Sequence, residues 1–316
     1  MIFVSIASFR DKELIKTVNS CLAKAKHPDN IRIGICWQYD EEEDLTAFDN
    51  LIQVESHKVY WKDVEGSVCW ARHLIQDKLF RNEEHYLQID SHTLFAQDWD
   101  ELLLEMYKSL PTDKAVISVG PPYYYDETAE GALPPEPWDE NIEVVGDIKF
   151  ETIIKKQKLD SFGNGFFVYG FLPADNISKP IPARHISAAL LFTTGKWVKE
   201  VPYDPNLYFH GEEGSLALRS FTNGYDIYNP NKFVVWHSKY RFPDRKRHWN
   251  TFDEQIVGRM QAANNQRYQK IIRNELEGIY GLGSKRTLED WKNYSGIDFI
   301  NDTASEDAYK GITPKL

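Results

Sequence analysis

Tyr86-Leu87-Gln88-Ile89-Asp90-Ser91-His92-Thr93-Leu94-Phe95 is the stretch on which the reading of this chain turns. Tyr86, Leu87 and Ile89 crowd aromatic and branched side chains into a short run that stops at polar Asp90-Ser91-His92, the pattern of a buried strand reaching its end. A carboxylate and an imidazole leave that strand together at its carboxyl end. In open α/β sheets ligands bind along this edge, and Asp-x-His offers one oxygen and one nitrogen to a divalent cation. The stretch therefore predicts a sheet and a metal-bearing crevice at its rim.

Upstream, Ile2, Phe3, Val4 and Ile6 form an apolar run ending in Ala7-Ser8-Phe9-Arg10-Asp11, and Leu14, Ile15, Val18, Cys21 and Leu22 follow at helical spacing. Ile31 to Trp37 reads as a second strand with Asp40 at its exit, and the acidic run Glu41 to Asp44 as a solvated loop. Lys58 to Trp61 fits a third, shorter strand. From Gly66 onward, Val68, Ala71, Leu74, Ile75 and Leu79 share one helical face, with Ser67 as N-cap. Gly66 permits close approach to the helix start, where free N–H groups favour an anion. Arg72, off the apolar stripe, is a candidate phosphate partner there, although a lone helical arginine is more often a surface charge.

Downstream, Trp99 to Leu110 reads as an amphipathic helix and Ala115 to Val119 as a strand, so strand and helix alternate as in a parallel sheet covered on both faces. Pro121 to Asp147, rich in proline, tyrosine and acids, is read either as a lid over substrate or as an exposed insertion. Gly163 to Leu172 reads as one strand with interleaved glycines. Ile186 to Thr193 reads as a strong apolar strand, and the small residues Ser187, Ala188 and Ala189 leave room beside it for a sugar ring. Gly211-Glu212-Glu213-Gly214 opens a helix whose dipole favours two carboxylates at its start. Phe233 to Trp236 is a last strand, ending in His237-Ser238-Lys239. From about Asp253 the chain is helical, with a capping box at Thr287 to Asp290, and carries no legible chemistry.

Ser8 with Arg10, Asp40, Asp90 with His92, and His237 thus stand at four strand exits, and strands sharing one sheet would aim them into one crevice. Asp90, His92 and His237 form a mixed oxygen and nitrogen set suited to Mn²⁺ or a similar ion with open positions for water and phosphate oxygens. Such an ion offsets charge on a departing diphosphate.

Composition narrows the class. A chain of 316 residues, 42% hydrophobic, has ample core for one large domain or two modest ones. A formal net charge of -11 repels polyphosphate backbones, which disfavours nucleic acid as a partner; the basic stretch Lys239 to His248 keeps that reading open. Cys21, Cys36 and Cys69 are odd in number and widely spaced, so neither a disulfide framework nor a zinc site is expected. Met1 to Ala7 reads as a strand rather than a leader, and no run reaches membrane-spanning length. A soluble, cytoplasmic protein without a membrane partner is expected.

These residues also carry a resemblance. Ile2 to Asp11, Gly66 to Arg72, Tyr86 to Phe95, His185 to Phe192, Pro205 to Arg219 and Gly224 to Arg241, in this order over roughly the first three quarters of the chain, resemble the motif blocks of the GlcNAc-transferases that modify hydroxyproline or Ser/Thr of polypeptides. More distantly they are similar to the polypeptide GalNAc-transferases. The resemblance implies a Rossmann-like GT-A fold, a mixed, mostly parallel sheet flanked by helices, over residues 1–250, with a nucleotide-binding half over about 1–110 and an acceptor half over 111–250. Residues 251–316 would be a helical C-terminal extension, and its helices are where a homo-oligomer contact is expected.

The implied reaction is metal-dependent, retaining transfer of GlcNAc from UDP-GlcNAc to a hydroxyl, expected on a polypeptide. Carried over residue by residue, Asp90, His92 and His237 match ligands of Mn²⁺ (or Mg²⁺). Ser8, Arg10, Asp40, Gly66, Arg72 and Ser91 match the nucleotide side, Ser187 and Ala188 the sugar side, and Arg241, with Lys239, would offset leaving-group charge. Glu212 and Glu213 match the carboxylates near donor sugar and acceptor, with positioning or electrostatic roles ahead of a covalent one. The rival readings are another UDP-sugar or a non-protein acceptor (polysaccharide, lipid-linked sugar, small molecule or modified DNA base), and a non-catalytic sugar-nucleotide or glycan-binding module. A metallohydrolase ranks last, for want of a second carboxylate-rich cluster.

Overall fold

The computed structural model describes residues 1–126, 142–174, 177–239 and 246–315. In chain order these form β1 (Ile2–Phe9), α1 (Leu14–Lys24), β2 (Ile31–Tyr39), β3 (Val54–Tyr60), α2 (Val68–Leu74), β4 (His85–Asp90), β5 (Thr93–Phe95), α3 (Trp99–Lys108), β6 (Ala115–Ser118), β7 (Tyr123–Asp126), β8 (Ile142–Val145) and β9 (Ile148–Glu151). Then follow β10 (Lys155–Gly163), β11 (Phe166–Pro173), β12 (Ile181–Pro182), β13 (Leu190–Thr194), α4 (Gly195–Glu200), α5 (Glu212–Thr222), β14 (Asp226–Asn229) and β15 (Val235–Ser238). The C-terminal elements are α6 (His248–Thr251), α7 (Glu254–Ile272), α8 (Leu288–Ser295), β16 (Ile297–Asp298), β17 (Thr303–Ala304) and α9 (Glu306–Tyr309).

The main sheet runs in the order β12-β14-β6-β13-β4-β1-β2-β3. β1, β2, β3 and β4 are mutually parallel, as are β6 and β14, while β13 runs antiparallel between β4 and β6. This is the expected mixed, mostly parallel sheet. Alternate residues of β1 go to opposite faces: Val4 and Ile6 pack with Leu14 and Val18 of α1 and Leu103 of α3, and Phe3 packs on the side of Ala71 of α2 and Trp197 of α4. Strand order reverses between β1 and β4, so a crevice opens at their carboxyl ends, where Ala7 lies opposite Asp90.

Ser91 and His92 alone separate β4 from β5, and β5 belongs to a second sheet, β5-β15-β7-β9-β8. His237 lies inside β15, paired with Thr93. It therefore does not stand at the exit of a main-sheet strand, as the four-exit reading had it. The pairing of β15 with β5 carries it to the turn where the chain changes sheets.

Gly163 to Leu172 is likewise two strands rather than one. Asn164 (φ 52°) and Gly165 (φ 77°) form a tight turn joining β10 to β11, and Asn-Gly is the residue pair that such turns favour. The C-terminal segment pins this turn: Asn164 N and Gly165 N donate to Asp302 (2.7 and 2.8 Å), and Tyr268 Oη donates to Gly165 O (2.9 Å). Tyr268, Ile271 and Ile272 of α7 and Trp291 of α8 join the same core as α5, and the capping box at Thr287 and Asp290 forms. Of the Pro121 to Asp147 stretch, 127–141 lie outside the described residues, and its flanks supply β7 and β8. Among the described residues no helix is long and apolar enough to cross a membrane.

Gly165→Ala tests the turn. A Cβ there meets Ile272 Cδ1 at 2.3 Å on a left-handed backbone. Urea denaturation should show a loss of about 1–3 kcal/mol; an unchanged midpoint would mean that the turn is not pinned.

Candidate active site

The turn after β4 and the strand β15 place three ligand-type side chains together. His92 Nε2 faces His237 Nε2 at 2.9 Å, and Asp90 Oδ2 lies 3.3 Å from His237 Nε2. The other nitrogen of each ring is occupied: His92 Nδ1 is 2.7 Å from Asp11 Oδ2, and His237 Nδ1 is 2.9 Å from Ser238 O. With Nδ1 donating to those oxygens, both Nε2 lone pairs point at one place. Two lone pairs and a carboxylate aimed at one point repel unless a proton or cation lies between them, and this mixed nitrogen and oxygen set could hold a divalent metal ion. Asp90 is also electrostatically prepared. Burial alone would raise its carboxyl pKa, but the contact with His237 and the Arg72 charge outweigh burial and hold it well below the usual carboxylate range.

Arg72 is not a surface charge. Its side chain is 3% exposed; Nη2 donates to Asp90 Oδ1 (2.7 Å) and Nη1 to Glu212 Oε1. Glu212 opens α5 after Gly211, whose φ of 87° favours glycine and whose Cβ would meet the Tyr268 ring at 2.6 Å. Gly214 is as tightly held, against Tyr268 Oη and Phe167. The two glycines around the glutamates therefore let α7 and the β10–β11 hairpin close on the start of α5. Burial raises the Glu212 carboxyl pKa, with Arg72 opposing. Glu213 goes the other way: burial would raise it, but His185 and the Ala188 N–H together lower it. Its Oε1 accepts from Ala188 N (2.8 Å), and its Oε2 lies 3.3 Å from His185 Nε2.

A cleft of about 1610 Å³ runs past these groups. That exceeds the few hundred to a thousand Å³ typical of small-ligand sites, so a substrate larger than one sugar fits. At one end Arg10, held at φ 51° and 4.2 Å over the Trp61 ring, pairs with Asp40 (Nε to Oδ2, 2.7 Å). Ser8 lines the cleft, and its Oγ is buried without a hydrogen-bond partner among the described residues. Ser91 Oγ donates to Asp11 Oδ2 (2.7 Å). Ala188 borders the cleft, whereas Ser187 lies behind it, its N–H donating to Ser118 Oγ (2.7 Å). Gly66 also stands aside from the cleft wall, its carbonyl taken by Gln38 Nε2 (2.8 Å) and its Cβ position filled by the Trp70 ring. Ser67 caps α2 as its sequence position predicts. Arg241 lies outside the described residues.

Two residues that the motif reading passed over stand in this network. Asp11 follows β1 on the same edge as Ser8 and Arg10, so the strand-exit criterion could have found it. His185 carried no signal of its own, because its partner, Glu213, is remote in sequence.

A family profile described as Glycosyltransferase (GlcNAc) matches residues 1–53 and 46–279. Comparison with curated proteins finds no match. Among solved structures, that of GalNAc-T7 with UDP, GalNAc and Mn²⁺ aligns with 92% of this chain at 12% identity and a TM-score of 0.61. The chain covers 54% of that one, about half its length. The structure of Staphylococcus aureus TarS 1–349 in complex with UDP aligns with 87% of this chain, 67% of that one, at 12% identity and a TM-score of 0.49. The likeness to GalNAc-T7 bears out the GT-A architecture.

Arg72→Met would leave two carboxylates at the cleft floor without their shared cation. Truncating one partner of a buried ion pair costs about 3–5 kcal/mol. Urea unfolding should show a loss of that size, partly recovered in Arg72→Met/Glu212→Gln; a loss under about 1 kcal/mol would mean that solvent reaches the group and screens it.

Proposed function

Because this chain belongs to the family of GlcNAc glycosyltransferases, we propose that it is a retaining, metal-dependent enzyme that moves GlcNAc from UDP-GlcNAc to a hydroxyl acceptor on a polypeptide. The observation that carries this reading is the convergence of His92 Nε2, His237 Nε2 and Asp90 beside the buried Arg72–Glu212 pair, in one cleft. GalNAc-T7, which shares the fold, is seen with UDP, GalNAc and Mn²⁺, and that supports the same ligand classes here.

In this reading Asp90, His92 and His237 hold Mn²⁺ or Mg²⁺. The bound ion supplies Lewis-acid stabilisation of charge on the departing diphosphate. The protein's own part is positioning. Asp11 fixes the ring and tautomer of His92 through Nδ1, so that Nε2 stays available as a ligand. Arg72 holds Asp90 and Glu212 in a fixed relation, which ties the diphosphate side of the cleft to the sugar side. Ser8, Arg10 and Asp40 line the end assigned to the uridine. Glu212 and Glu213 face the donor sugar and the acceptor. Both carboxylates already hold protein donors, which favours electrostatic and orienting roles over a covalent one. Residues 1–110 form the nucleotide half, 111–250 the acceptor half, and 251–316 an extension that braces the start of α5.

The test is a screen of UDP-sugars for metal-dependent UDP release, followed by mass spectrometry of the acceptor that gains mass. UDP-GlcNAc should be the preferred donor, EDTA should stop release and Mn²⁺ should restore it. Asp90→Ala removes a proposed metal ligand and should abolish metal-dependent UDP release; full retained activity would sink the proposal. Asp11→Asn should weaken Mn²⁺ binding by about 10–100-fold in calorimetry, the usual cost of losing a residue that orients a metal ligand.

A further inference from the structure

His185 is buried in an aromatic slot. Its ring stacks on Tyr169 of β11, with centroids 3.8 Å apart and planes at 23°, and meets Phe167 edge-on at 5.5 Å. A histidine in such a slot gives up hydration, and its Nδ1 has no hydrogen-bond partner among the described residues. Its Nε2 faces Glu213 Oε2 at 3.3 Å. An apolar ring would fill the slot at lower cost, so the polar edge toward Glu213 is what distinguishes histidine here.

Glu213 in turn accepts from Ala188 N, and Ala188 O accepts from Arg72 Nη2 (3.4 Å) and Gln88 Nε2 (2.9 Å). A continuous path therefore runs from the β10–β11 hairpin, whose Phe166, Phe167 and Val168 border the cleft, through His185, Glu213 and Ala188 to Arg72 and Asp90. We propose that His185 is a positioning residue: by donating from Nε2 to Glu213 it holds the Glu213 carboxylate against the Ala188 amide and so fixes the cleft wall between hairpin and Arg72. The consequence for catalysis rests on the transferase reading above; the positioning itself does not. Burial would raise the pKa of Glu213, but His185 and the Ala188 N–H outweigh it and lower the value, which agrees with a carboxylate held between these two groups.

Two replacements separate the roles of the ring. His185→Phe keeps an aromatic ring against Tyr169 and removes the donor. His185→Gln presents an amide donor near the Nε2 position and removes the aromatic ring. In the full chain, hydrogen exchange of the Ala188 amide should accelerate by about tenfold or more in His185→Phe and return toward the wild-type rate in His185→Gln, as expected when a local hydrogen bond is released and remade. Unchanged Ala188 exchange in His185→Phe, or equal acceleration in both variants, would overturn the inference whatever the activity.

Once a donor sugar is identified, His185→Phe should lower kcat with UDP affinity unchanged, and His185→Phe/Glu213→Gln should be no slower than Glu213→Gln alone, since one residue acts through the other. Additive losses would also overturn it. A wild-type protein that releases UDP from no UDP-sugar, yet shows the expected exchange pattern, would count against the transferase reading and uphold the positioning of Glu213.

Discussion

A buried guanidinium holds this molecule's cleft together. Arg72 joins Asp90, at the end of β4, to Glu212, at the start of α5, 140 residues further along the chain than Arg72 itself. Arg72 and Glu212 are buried and Asp90 is partly so; buried charges cost several kcal/mol each unless they compensate one another, so the arrangement tolerates little displacement of any of the three elements. α2, β4 and α5 must therefore pack as they do for the charges to be matched. The Asn-Gly turn, Tyr268 and the glycines beside Glu212 and Glu213 serve the same end, since they let α7 and the hairpin close on the start of α5 without a steric conflict.

Sheet topology supplies the second constraint. The reversal of strand order between β1 and β4 opens a crevice at the carboxyl edge, and the two-residue turn Ser91-His92 passes the chain from one sheet to the next at that crevice. His92 belongs to the turn, Asp90 to the first sheet and His237 to the second. The candidate metal site is thus a seam between sheets, where Asp11, just after β1, meets the His92 imidazole and Ser238 of β15 meets that of His237. A seam of this kind places two of the ligands on strands and the third on a two-residue turn held between strands, which favours fixed donor geometry.

Much of the fold was legible because its signals are local. Apolar runs ending in Ser8, Asp40 and Asp90, helical spacing after Gly66, the Ser67 cap and the Thr287 capping box depend only on neighbours a few residues away. The Asn164-Gly165 turn was equally local, but it was hidden by apolar residues on both sides that read as one strand. Arg72 went the other way: off the apolar stripe it was a candidate phosphate partner, with a surface charge as the commoner fate of a lone helical arginine, and only the carboxylates of Asp90 and Glu212, brought in by folding, make its burial affordable. Gly66 and Ser187 fit the sugar-nucleotide pattern by sequence position, yet the Trp70 ring fills the place of a Cβ at Gly66, the Ser187 N–H is turned to Ser118, and neither residue lines the cleft.

By itself the sequence determined which groups leave strands in pairs, Asp90 with His92 above all, and so the kind of cation and crevice to look for, because strand endings and ligand spacing are encoded within ten residues. Only the tertiary structure decided that His237 reaches His92 from a second sheet, that Asp11 fixes the imidazole, that Arg72 spans two carboxylates and that His185 meets Glu213. Each of those contacts joins residues far apart in the chain, and their geometry exists only after long-range packing has paired the strands that carry them.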